Sequence, residues 1–239
     1  MGDFSQRMKN LIGAENQALL ETAKVAVYGL GGVGAACAMD LVRSGIGRLY
    51  VVDFDTVDQT NLNRLYFGYQ STIGLPKVRV FERFAKDVNP DVSIEGVERF
   101  FSPEETKDII DREAWAHVDC IDSLASKTSL IATLQAEGKV FISSMGTAGR
   151  LDPGRLKIGS FWKIQGCPLA RRIRSNLRTM GMEEDFPALW SDEEAIKPQN
   201  AQDPPSSGRK YIQSSSPFVP QAAGHFLAAW ILRQIISRR

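Results

Sequence analysis

The sequence predicts an α/β fold: a doubly wound, mostly parallel sheet with helices on both faces and a small C-terminal extension. Three observations carry this expectation. Short apolar runs alternate with amphipathic stretches along the first half of the chain, which puts strands in parallel and crossover helices on the sheet faces. A glycine-rich turn joins the first apolar run to the first amphipathic stretch. The chain has 239 residues, 43% hydrophobic and 24% charged, enough for one sizeable core.

Each element has its own signal. Lys24-Val-Ala-Val-Tyr28 is an apolar run stopped by glycine and reads as a buried strand. Over 32–44, Val33, Cys37 and Leu41 recur at helical spacing, and Gly45 and Gly47 supply the stop. Residues 48–53 form a second strand ending in Asp53. Residues 77–88 are helical, with Val80, Phe84 and Val88 on one face and Asn89-Pro90 at the end. A third strand is expected over 92–101. Ser102-Pro103-Glu104-Glu105 has the pattern of a helix start, with Ser as N-cap, Pro at the first helical position and Glu at the third. Strands over 118–122 and 140–144 flank a helix over 124–137. A later helix opens at Pro168, turns Leu169, Ile173 and Leu177 inward and closes near Gly181, and 219–236 reads as a C-terminal packing helix. The chain is expected to be one domain, with a core over about 24–149 and a C-terminal part over about 150–239. Residues 198–208, dominated by Asn, Gln, Pro and Ser, read as a mobile loop.

Composition excludes several classes. Lys and Arg number 29 against 28 Asp and Glu, so only local clustering points to a charged partner. Cys37, Cys120 and Cys167 are too few and scattered for a disulfide framework or a four-cysteine zinc site, which favours a reducing compartment and a cytoplasmic location. The polar Met1 to Asn10 stretch is no secretory signal, and the longest apolar run, 226–232, is too short to cross a bilayer.

The chemistry starts at the glycine turn. Gly29-Leu-Gly31-Gly32-Val-Gly34 matches G-x-G-x-x-G between a strand and a helix, the Rossmann-like arrangement in which the backbone approaches a polyphosphate and seats it on a helix N-terminus. Asp53 ends the next strand at the distance of a ribose-binding acid; its structural alternative is a turn-capping aspartate. A nicotinamide cofactor needs an apolar slot. The residues past Asp53 are polar instead: Asp55, Asn61 and Arg64, then Lys77 at a helix start. Cations along phosphate oxygens and carboxylates for Mg²⁺ suit a triphosphate. An NAD-dependent oxidoreductase is the competing reading, and ATP against NAD competition separates the two. A noncatalytic subunit that kept the fold is another, and the full set of charged residues argues against it.

Gly29-x-Gly31-Gly-Val-Gly34, Asp53-x-Asp55-x-Val57, Asn61-Leu-Asn-Arg64, Gly74-Leu-Pro-Lys77 and Cys120-Ile-Asp122-Ser together resemble the ordered motifs of the ubiquitin-activating-enzyme-like superfamily. The resemblance implies ATP binding by the glycine turn, Asp53, Arg64 and Lys77, Mg²⁺ at Asp122, and adenylation of a carboxylate. It also implies a homodimer in which Arg7 reaches the partner subunit's triphosphate; the alternative for Arg7 is an arginine on a disordered arm. Asp122 has a structural alternative as a helix N-cap. The sulfur-carrier-adenylating members usually carry two C-x-x-C pairs, and this chain has none. Ile142-Ser-Ser-Met-Gly146, Leu151-Asp-Pro153, Cys167-Pro-Leu-Ala-Arg171, Trp190-Ser-Asp-Glu-Glu194 and Pro217-Phe-Val-Pro220 instead resemble the tRNA threonylcarbamoyladenosine dehydratase branch. That branch implies ATP-dependent cyclisation of a threonylcarbamoyl side chain on tRNA adenosine 37. The alternative activity is adenylation of a ubiquitin-like sulfur carrier's C-terminal glycine, and a sulfur-transfer protein stays open as a further partner. Leu65 departs from the pattern, which has glutamine after the arginine, and this puts the fine position of Arg64 in question.

Between residues 150 and 178 eight basic residues (Arg150, Arg155, Lys157, Lys163, Arg171, Arg172, Arg174 and Arg178) meet one acid, Asp152. Arg171, Arg174 and Arg178 fall opposite the apolar stripe of their helix, with Arg172 nearby, and are the expected tRNA contacts, the alternative being a solvated basic face. His117 and His225 read as structural. Cys37 and Cys120 read as small core hydrophobes on a helix and a strand, and Cys167 as a cap at a helix start.

Overall fold

The computed structural model describes residues 4–196 and 214–238. Two helices, α1 (Gln6–Ile12) and α2 (Ala14–Thr22), precede β1 (Lys24–Tyr28). There follow α3 (Gly32–Arg43), β2 (Arg48–Val52), α4 (Lys77–Val88), β3 (Ser93–Val97), α5 (Thr106–Ile109), β4 (Ala116–Asp119), α6 (Leu124–Ala136) and β5 (Val140–Ser144). The C-terminal part adds β6 (Leu156–Ser160), α7 (Pro168–Thr179), β7 (Pro187–Ser191) and α8 (Phe218–Ile236). The seven strands form one sheet in the order β3-β2-β1-β4-β5-β7-β6. All neighbours are parallel except β6, which runs antiparallel on β7. The predicted fold class is the one observed.

The strands alternate faces with period two, and each face has a core. Val25 and Val27 of β1 and Leu49 and Val51 of β2 pack with α3, α4 and α8. Ala26, Tyr28, Tyr50 and Val52 pack on the other face with α6 and α7. Helix α3 is enclosed between the sheet and α8, and small residues fill its middle: Ala35, Ala36, Cys37 and Ala38 are all buried. The two helices cross closely at Gly224, where a Cβ would come within 2.4 Å of the Val33 carbonyl oxygen. The chain winds from β1 to β2 and β3 on one side, then crosses back to β4 and β5. The crevice for a ligand therefore opens between β1 and β4, at their C-terminal ends.

Several boundaries differ from the sequence expectation. The third strand stops at Val97 rather than 101. The Ser102 hydroxyl does accept the Glu105 N–H at 3.2 Å, but it caps a turn, and the regular helix α5 is only four residues long. Strand β4 ends at Asp119, so Asp122 stands beyond the strand, and Ser123 occupies the N-cap position of α6. Asp122 is thus neither strand end nor N-cap. Cys120 likewise lies past β4 and is half-buried. The loop expected over 198–208 lies outside the described residues. Among the described residues, no helix is long and apolar enough to cross a membrane.

Candidate active site

The turn after β1 is held open by glycine where a side chain cannot fit. Gly29 has φ +91°, and a Cβ there would sit 2.9 Å from the Cys120 carbonyl oxygen. A Cβ on Gly34 would overlap the Gly29 carbonyl oxygen at 1.7 Å. Gly31 meets nothing within 4 Å and opens onto a cavity of about 680 Å³. The first turn of α3 presents its backbone N–H groups there, a ready anion seat.

Asp53, at the end of β2, ties this turn down. Its carboxylate accepts the N–H of Leu30 at 2.6 Å and of Asp55 at 2.8 Å. Burial pushes the Asp53 carboxyl above its ordinary value, opposed by Lys77 and by those two N–H groups. Asp53 lines the cavity and also performs the turn-capping task that was its structural alternative. Lys77 starts α4 and is buried, with its ammonium 2.9 Å from Asp55 and 3.9 Å from Asp53. Asn61 closes a capping box on Asp58, accepting that residue's N–H at 3.3 Å, and also lines the cavity.

The stem of Arg64 lies against the glycine turn: a Cβ on Gly32 would be 3.1 Å from Arg64 Cγ and 3.0 Å from Pro220 of α8. Its guanidinium donates to the Thr60 carbonyl at 2.9 Å and to Asn63 Oδ1 at 3.0 Å. Burial pushes this guanidinium below its ordinary value, while the Asp122 carboxylate acts in the opposite sense across the cavity. Leu65 is buried in the core and turns away from the cavity, so the departure at that position leaves Arg64 on the wall. Cavity-lining Asp122 follows β4 on the facing side.

The cavity extends past the nucleotide half. Its far wall is formed by Ser144 to Ala148 after β5 and by Cys167, Leu169 and Arg172 at the start of α7. Arg150 is buried and braces that wall, donating to the carbonyls of Gly146 at 2.7 Å and of Ala148 and Glu193 at 3.2 Å. Residues 4–153 match the ThiF family. The chain belongs to the ThiF family. It is 32% identical over 233 residues to the Bacillus subtilis tRNA threonylcarbamoyladenosine dehydratase, covering 95% of this chain and 92% of that one. To the Haemophilus influenzae protein of the same name it is 35% identical over 164 residues, 69% of this chain and 63% of that one. A solved structure of the Escherichia coli tRNA N6-threonylcarbamoyladenosine dehydratase in complex with AMP superposes with a TM-score of 0.89 at 25% identity, covering 98% of this chain and 94% of that one.

In this ThiF-family chain the basic stretch is more tied up than its sequence implies. Asp192, brought alongside by β7, pairs with both Arg155 and Lys157. Arg174, expected on the open helix face, turns under the helix and donates to the carbonyls of Ile164 at 2.6 Å, Trp162 at 3.3 Å and Phe161 at 3.4 Å. Arg178 lies over the Trp162 ring. Arg171 and Arg172 are exposed, and Arg172 lines the cavity. Arg7 lies exposed on α1 and does not line the cavity of its own chain.

Sequence reasoning missed a fully buried ion pair behind the Asp122 loop, Lys127 to Asp119 at 2.8 Å. It also missed the edge-to-face pair Phe54 and Phe100 at the cavity wall. Lys127 reads in sequence as one more helix lysine, and its partner lies eight residues back on a different element, outside any helical spacing.

Proposed function

We propose that this chain is an ATP-dependent tRNA threonylcarbamoyladenosine dehydratase, which adenylates the carboxylate of threonylcarbamoyladenosine at tRNA position 37 and lets it cyclise. The carrying observation is that one cavity is lined both by a phosphate-binding glycine turn, with Arg64, Lys77 and Asp122 around it, and by Ser144 to Ala148 and the start of α7, the part we read as its second chamber. That second chamber gives an acyl group room beside the α-phosphate. The family membership and the dehydratase relatives support the same reading.

A carboxylate is a poor electrophile because it cannot expel oxide. Its oxygen attacks the α-phosphorus, pyrophosphate leaves, and the resulting acyl adenylate carries AMP as leaving group. Bringing two anions together requires preorganised cations, and Arg64 and Lys77 supply them at the triphosphate. The carbamoyl group of the same side chain then attacks the activated carbonyl and expels AMP. Ring closure has a high effective molarity, so no protein nucleophile is needed and Cys167 has no covalent task. The ring closure itself consumes no sulfur. Asp53, Asp55 and Asp122 line the cavity, and Lys77 engages the first two. No group of three or more side chains able to hold a metal by themselves exists among the described residues. That donor set fits a Mg²⁺ shared with phosphate oxygens, with Asp122 as its protein ligand. When bound, the ion adds charge neutralisation on those oxygens.

Arg172 lines the cavity at the start of α7, Arg171 is exposed beside it, and the two serve as phosphate contacts for the anticodon arm. The working unit is a homodimer. Incubating tRNA that carries open-chain threonylcarbamoyladenosine with protein and ATP, then analysing the nucleosides by mass spectrometry, tests the reading. Loss of one water from threonylcarbamoyladenosine with stoichiometric AMP is expected; intact nucleoside with no AMP overturns it.

A further inference from the structure

Lys127 and Asp119 are both fully buried, and a buried ion pair is a weak stabiliser compared with apolar side chains of the same volume. Its four contacts show what it holds. The Lys127 ammonium lies 2.8 Å from Asp119 Oδ2 and donates to the Asp119 carbonyl at 3.4 Å. Asp119 Oδ1 accepts the Ile121 N–H at 3.1 Å. Asp119 Oδ2 also accepts the Ser143 hydroxyl at 2.7 Å. One carboxylate therefore clamps three elements. These are the turn after β4, whose residues Cys120 to Ser123 line the cavity; the first turns of α6; and the end of β5, which leads into the Ser144 to Ala148 wall. Neither Lys127 nor Asp119 lines the cavity, so neither is placed to touch a ligand there.

We propose that Lys127 and Asp119 are positioning residues that fix Asp122 relative to the second-chamber wall, so that the metal-bound triphosphate and the acyl group share one frame. This rests on the reading of Asp122 as the residue facing the triphosphate. A side chain that orients a metal or phosphate ligand from behind is commonly worth about 10- to 100-fold in affinity or activity.

A double-mutant cycle separates this role from plain scaffolding, because residues acting through one another are not additive. ATP binding in the presence of Mg²⁺ is measured by calorimetry on the whole chain for wild type, Lys127→Met, Asp122→Ala and the double variant, with folding checked by circular dichroism. Lys127→Met is expected to weaken binding about 10-fold in the wild-type background and less than about 2-fold on Asp122→Ala. The same loss in both backgrounds, or none in either, overturns the proposal. Should Lys127→Met fail to fold, Ser143→Ala removes only the hydroxyl bond and enters the same cycle, with an expected loss of about threefold that vanishes on Asp122→Ala. If Asp122→Ala itself binds as wild type does, the reading of Asp122 has failed, and the positioning role falls with it for that separate reason.

Discussion

Arg64 and Asp122 act on one another across the cavity, and both flank the glycine turn that seats a phosphate. Removing one preorganised charge from such a site costs on the order of 100-fold in rate. Arg64→Ala and Asp122→Ala are each expected to keep their thermal unfolding profile and lose AMP formation by that factor; near wild-type turnover in both would end the adenylation reading. A second residue-scale expectation concerns acid stability. His117 is buried on β4 with Nδ1 hydrogen-bonded to the Tyr28 hydroxyl at 3.1 Å, and burial, helped by Lys139, pushes its pKa from 6.5 down to about 4. The unfolded chain therefore binds a proton that the folded chain refuses between these values. Stability from this group is present above pH 6.5 and is lost as pH falls toward 4, up to about 3 kcal/mol. Urea titrations at pH 7 and pH 4.5 should show His117→Phe losing less stability on acidification than wild type; equal losses would mean that His117 is not the proton acceptor. Some residues of the site were legible in the sequence alone and others were not. The glycines and Asp53 were legible because they follow strand ends, whose positions an apolar run reveals, and Lys77 because it opens a helix whose apolar spacing is plain. Arg174 and Lys127 were not, since which way a long side chain turns depends on carbonyls and carboxylates that only the tertiary fold brings near.

At the scale of elements, α7 shows how a pattern can be right about a helix and incomplete about its charges. Pro168, the buried Ile173 and Leu177, and the closing Gly181 all stand where their spacing puts them. Leu169 is only partly buried, and Ala170 takes its place in the core. The helix then divides its arginines between two tasks. Arg174 satisfies three carbonyls of the turn at 161–164, so Arg174→Ala should lower the unfolding free energy by about 1–3 kcal/mol through those orphaned acceptors, without changing the salt dependence of tRNA binding. Arg171 and Arg172 remain exposed. Reversing both to Glu is expected to weaken tRNA binding and to reduce the slope of log affinity against log salt by about two, one for each lost phosphate contact. An unaltered slope measured by filter binding would place the RNA surface elsewhere. Elements near the sheet edge were the least legible. Strand β6 carries Gly159 and alternates only weakly, and its pairing with β7 needs 26 intervening residues that hold a whole helix. The start of α5 was misplaced because a serine hydroxyl caps a lone turn with the same geometry that opens a long helix.

For the molecule as a whole, the question is where the N-terminal helices belong. Helix α1 packs on α2, carries Arg7 exposed on its surface and adds no residue to the cavity of its own chain. Large apolar side chains are exposed on the same segment, Phe4 at 47% and Leu11 at 78%. An arm that carries an exposed arginine and exposed apolar groups fits a subunit that gives this segment to a twofold-related partner. In the proposed symmetric dimer the exchange would be mutual, with Arg64 from one protomer and Arg7 from the other at each active site. This geometry makes a quantitative prediction. Arg7→Ala and Arg64→Ala proteins are each poor catalysts alone. Mixed in equal amounts and allowed to exchange, half of the dimers combine one of each, and one site of every mixed dimer regains both arginines. About a quarter of wild-type AMP formation should return, with the double variant Arg7→Ala/Arg64→Ala mixed with wild type as the reference for exchange. A mixture no more active than the mean of its components, from proteins shown to exchange subunits by light scattering and tag pull-down, would place Arg7 outside the active site. Full activity from a chain that sediments as a monomer would remove the shared-site arrangement altogether.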